Sequence, residues 1–123
     1  MPRKRFVPSR SKILPEAPFA NAEAAWFWFM RSQKLRWEGA VINDRTVTEM
    51  RPCDPDDIYR AVKELHRSGS IRQAHVQTLH RFGVLDRPPD LRCPEEVLAH
   101  RLWDEALDKL TSVLRRKEIV EWT

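Results

Sequence analysis

Residues 54–83 read DPDDIYRAVKELHRSGSIRQAHVQTLHRFG, and this stretch decides the fold. Asp54 is a good N-cap, Pro55 suits a first helical position, and Asp56 and Asp57 sit at the positive end of a helix dipole. Ile58, Ala61, Val62 and Leu65 recur at helical spacing and make one apolar face. Gly69 closes that helix. Ser70 reads as the cap of the next, with Ile71, Ala74, Thr78, Leu79 and Phe82 as its inner stripe and Gly83 as its end. Arg72, Gln73, Gln77, His80 and Arg81 fall on its other side.

Working outward, residues 84–93 carry Asp86, Pro88, Pro89 and Asp90 and read as a loop. Pro94 then starts a long helix with Leu98, Leu102, Trp103, Ala106, Leu110, Val113 and Leu114 as its apolar stripe, and Arg115, Arg116 and Lys117 at its negative end. Ile119, Val120 and Trp122 fold back on the body. On the other side, Asn21 caps a helix that runs to about Glu38 and stops at Gly39. Trp26, Phe27, Trp28, Phe29 and Met30 leave one turn of it without a polar face. Either this is the central helix, wrapped by the others, or Trp26, Phe27, Trp28 and Phe29 are shared with a second chain in a homodimer. Residues 40–50 read either as a small hairpin or as a structured loop. Residues 1–18 hold four prolines and five basic residues, an extended arm. The expectation is therefore an all-α, single compact bundle of about four helices over residues 19–123, preceded by the arm 1–18.

Hydrophobic content of 41% and charged content of 33% over 123 residues suit one globular domain. No apolar run reaches about 18 residues, so no membrane span is expected. No apolar region follows the basic start, so no secretory signal is expected. Two cysteines make no disulfide scaffold, which points to the cytoplasm. The three glycines form no phosphate-cradling loop. His66, His75, His80, His100, Cys53 and Cys93 share no metal-ligand spacing. Asp54, Asp56 and Asp57 are better explained by capping than by magnesium. No catalytic residue, metal, cofactor or small-molecule substrate is expected, and the chain does not read as an enzyme.

The net charge of +4 is unevenly placed. Arg3, Lys4, Arg5, Arg10 and Lys12 against Glu16 give the first 20 residues +4, and the remainder is neutral. Within that remainder, residues 58–82 carry +4 and residues 86–108 carry −4. The two blocks either pair with each other or leave a basic face free for phosphate.

Two helices joined through Ser68-Gly69-Ser70 resemble a helix-turn-helix. The resemblance implies that Arg72, Gln73, Gln77, His80 and Arg81 reach base edges and phosphates of double-stranded DNA, with Arg3, Lys4 and Arg5 along the backbone or in a minor groove. The pattern departs at Leu65, where a small residue is usual, at His75, where an apolar one is, and at Ser68 and Ser70. Separately, Phe19-Ala-Asn-Ala-Glu-Ala-Ala-Trp-Phe-Trp and Arg51-Pro-Cys-Asp-Pro-Asp-Asp resemble signatures of a family of small uncharacterised bacterial helical proteins. That likeness, over most of residues 19–121, implies a bacterial single-domain chain and supplies no activity. Two functions follow as expectations: a small bacterial DNA-binding or DNA-associated regulatory protein, and, as its rival, a protein–protein interaction module, adaptor or inhibitor, without a nucleic-acid role.

Overall fold

A computed structural model describes residues 17–37 and 53–122. Among these are four α-helices and no strand: α1 (Ala22–Trp37), α2 (Pro55–Arg67), α3 (Gln73–Leu85) and α4 (Val97–Arg116), with a single 3-10 turn, Pro94–Glu96, leading into α4. The all-α expectation holds. The N-terminal arm with Arg3, Lys4 and Arg5, and the hairpin reading of residues 40–50, lie outside the described residues. No described helix is long and apolar enough to cross a membrane.

The caps explain the starts of α1 and α2. Asn21 Oδ1 accepts the Ala24 N–H at 2.8 Å. Asp57 accepts the Asp54 N–H at 3.1 Å while Asp54 accepts the Asp56 N–H, so two acids satisfy the otherwise orphaned donors of α2. α2 buries Ile58, Ala61, Val62 and Leu65, the face its spacing foretold.

α1 lies at the centre. Trp26, Phe27, Phe29 and Met30 are buried by the chain's own helices, and Trp28 is half-buried against the Phe19 ring. The interface candidates Trp26, Phe27 and Phe29 are thus core residues, and their cover needs no second chain. Phe27 meets Trp103 of α4, Phe29 stacks on Tyr59 of α2, and Trp26 Nε1 donates to the Leu79 carbonyl of α3 at 2.9 Å. One residue run therefore ties all three other helices together.

Four local readings are corrected. Ser70 does not cap α3: its N–H donates to the Leu65 carbonyl at 2.9 Å, and the Gly69 N–H to His66, the paired bonds that close α2 around a left-handed Gly69 (φ 85°). Helix α3 begins only after the buried Ile71, with Arg72 as N-cap. Gly83 does not end α3 but sits inside it, because Met30 of α1 comes so close that a Cβ there would lie 2.6 Å from Met30 Cγ; Asp86 in a left-handed conformation (φ 60°) ends the helix instead. Pro94 opens the 3-10 turn rather than α4. The inner stripe of α4 is Ala99, Trp103, Ala106, Leu110, Val113 and Leu114, which leaves Leu98 on the outer side and 59% exposed.

After α4 the chain turns back. Ile119 and Val120 are buried, Phe19 and Val120 form a parallel bridge, and the Phe19 N–H donates to the Ile119 carbonyl at 2.8 Å. Trp122 stays 68% exposed, with the Arg115 guanidinium over its ring, so it does not join the core.

Candidate nucleic-acid interface

The helix pair α2–α3 and its turn carry the candidate site. Helix α3 buries His75, Thr78, Leu79, Phe82 and Gly83 against α1 and α4. That inner face turns Gln73, Gln77 and His80 outward at positions i, i+4 and i+7, one row along the helix. Arg72 stands exposed at the N-cap and Arg81 beside His80. All five residues singled out in the sequence are exposed and share this side of α3.

They are not equally free. The Arg81 guanidinium lies 4.8 Å from the centroid of the Phe82 ring, and that of Arg87 lies 5.3 Å from it. Arg72 has no ion-pair partner among the described residues. It is the freest cation of α3, at the helix end whose N–H groups favour anions. On α2, Arg60 pairs with Asp57 at 2.6 Å and Lys63 lies over the Tyr59 ring, while Arg67 is exposed.

The two charged blocks make few close contacts, although Arg72 acts on Glu105 and Arg81 on Glu96 from a longer range. Among the described residues one contact between charged-type side chains joins 58–82 to 86–108: His75 Nε2 lies 2.9 Å from Glu105 Oε1. Of the acids of 86–108, Asp90 turns to Arg92, Glu96 to Arg87 and Asp104 to His100, while Asp86 pairs with Arg31 of α1. Arg67, Arg72 and Arg81 make no ion pair among the described residues.

Two residues that hold the site in shape were not legible as such. The first is His75, only 5% exposed. Its Nδ1 accepts the Arg72 N–H at 2.9 Å and its Nε2 faces Glu105, so a polar ring fills a place where the helix-turn-helix pattern has an apolar side chain. The available signal was its position three residues after the cap, where a side chain reaches back to the cap N–H. The Glu105 carboxyl is held below its usual range, chiefly by this hydrogen bond. The second is Glu96, 7% exposed, which binds the Arg87 guanidinium through both oxygens at 3.0 and 2.8 Å and accepts the Asp90 N–H at 2.8 Å. These bonds fasten the Pro88–Pro89 loop after α3. They also lower the Glu96 pKa to about 2, the Arg87 hydrogen bond first and the Asp90 N–H second. The native state holds the ionised form. Its contribution to stability is present above a pH of about 4.5 and is lost as pH falls toward 2.

Cys53 and Cys93 are partly buried and form no disulfide, and no cluster of three or more His, Cys, Asp or Glu side chains is poised to hold a metal ion among the described residues. No family model matches the chain, and no curated protein or solved structure matches it either.

Proposed function

We propose that this chain is a small DNA-binding, regulatory protein that presents α3 to the major groove of double-stranded DNA. The observation that carries the reading is the exposed row Gln73, Gln77 and His80 beside an unpaired Arg72. Gln and Arg are the side chains that bond adenine and guanine edges in pairs, and the first residues of a recognition helix reach deepest into the groove. The exposed Arg67, Arg72 and Arg81 support it, since none of them is held in an ion pair among the described residues. Arg3, Lys4 and Arg5 would follow the backbone or enter a minor groove. A bacterial, cytoplasmic setting and a two-fold dimer over paired half-sites belong to the same proposal.

Fluorescence anisotropy against a duplex at several salt concentrations tests it. With about four to six phosphate contacts, log K falls against log salt with a slope of roughly −4 to −5. Absence of binding at low salt ends this reading. The rival, an interaction module, would then stand; the exposed Val97 and Leu98 at the start of α4 favour it.

A further inference from the structure

We infer that His75 is a proton-sensitive positioning residue for α3, so that the face proposed for DNA is set at neutral pH and disturbed in acid. The inference about α3 stands on the geometry of the ring; its consequence for DNA rests on the function proposed above.

Both nitrogens of the buried imidazole are committed. A backbone N–H can only donate, so Nδ1, 2.9 Å from the Arg72 nitrogen, accepts and carries no proton. The ring hydrogen is therefore on Nε2, where it donates to Glu105 Oε1 at 2.9 Å. One neutral tautomer satisfies both partners. When the ring gains a second proton, both nitrogens donate. The Glu105 contact becomes charge-assisted and keeps the ring in place. The Nδ1 side then sets a donor against the Arg72 N–H. The ring cannot rotate away without giving up Glu105, so the first turn of α3 must give way instead. Arg72 is the N-cap of that turn and the leading cation of the face. The charged groups around the ring are Glu105 and, within reach of that carboxylate, Arg101 of α4 and Arg72 itself.

The test compares wild type with His75→Gln. A glutamine oxygen can accept the Arg72 N–H and its amide can donate to Glu105, yet it does not titrate. In ¹⁵N-resolved NMR spectra between pH 8 and 5, the Arg72 amide resonance is expected to shift in wild type and to stay still in His75→Gln. An Arg72 amide that moves equally in both, or in neither, overturns the inference. Should His75→Gln fail to fold, Glu105→Gln, at a half-exposed position, keeps an acceptor for Nε2–H and removes the carboxylate that favours the charged ring. The Arg72 transition then moves to lower pH, and an unmoved transition overturns the inference. On duplex DNA at fixed salt, wild type is expected to lose about three- to tenfold in affinity relative to His75→Gln on going from pH 8 to 5.5. Identical affinity profiles overturn the link to the binding face. No duplex binding at any pH refutes the proposed function, while the amide titration still decides the role of His75.

Discussion

Between Trp26 and Met30, α1 buries four of five consecutive side chains, all apolar, whereas α3 buries five of thirteen residues, of which two are polar and one is glycine. Both helices face the same core. The rings of α1 between Trp26 and Phe29 pack chiefly on apolar neighbours, with Trp26 Nε1 donating to the Leu79 carbonyl. The inner face of α3 is held by satisfied polar groups: His75 between Arg72 and Glu105, and Thr78, whose hydroxyl donates to the Ala74 carbonyl at 2.8 Å. Non-directional burial gives α1 its stability; directional bonds and a close approach at Gly83 give α3 its register. The outer face of α3 is needed for neither, which leaves it open to serve a partner.

The largest effect that separates the two should come from Trp26→Ala. Removing the ring opens a cavity among α1, α3 and α2 and removes the added bond to the Leu79 carbonyl, with an expected loss of about 3–5 kcal/mol in chemical denaturation. A loss under about 1 kcal/mol would mean that α1 is not the centre of the core.

Gly83→Ala comes next. In an open helix the change to alanine stabilises by about 1 kcal/mol. Here the new methyl would meet Met30 Cγ at 2.6 Å and Trp26 Nε1 at 3.0 Å, and Trp26 cannot shift without losing its bond to Leu79. A net loss of about 1–3 kcal/mol is expected from denaturant midpoints. The loss should shrink in a Met30→Ala background, because the two residues contend for one space. A stabilised Gly83→Ala protein would show that α1 and α3 are looser than this contact implies.

The same contact shows where the sequence was readable and where it was not. Helices α1 and α2 were legible to within a residue or two because their starts are written locally, by Asn21 and by the acids around Pro55. The inner face of α2 was legible because its apolar residues keep a strict period. The ends of α3 were not. A glycine at 83 and a serine at 70 carry the local signature of a stop and a cap, but Met30, fifty-three residues upstream, claims the glycine for packing, and the closure of α2 claims the serine's N–H. For the rings of α1, no local pattern distinguishes cover by the same chain from cover by another; that depends on where α2, α3 and α4 lie. The outward residues of α3 were found by helical phase alone, whereas the anchoring of His75 needed Glu105, thirty residues downstream in another helix.

The smallest effect on stability is expected on the outer face of α3, and it carries the functional half of the comparison. Arg72→Ala removes a side chain that is exposed and in no ion pair among the described residues, so stability should change by no more than about 0.5 kcal/mol. The cap contact at this residue is made by its backbone N–H, which alanine retains. Lys109→Ala, exposed on α4 and outside the proposed interface, should be equally neutral for stability. The two variants part only on DNA. If Arg72 meets a phosphate, its loss reduces the salt slope by about 1 and weakens every duplex alike; if it bonds a guanine edge, affinity falls by about 1–3 kcal/mol on the preferred sequence and discrimination at that position is relaxed. Lys109→Ala should change neither the slope nor the sequence preference. Anisotropy titrations of both variants at several salt concentrations decide the matter. Equal effects from Arg72 and Lys109 would show that any DNA affinity comes from diffuse charge rather than from the face of α3.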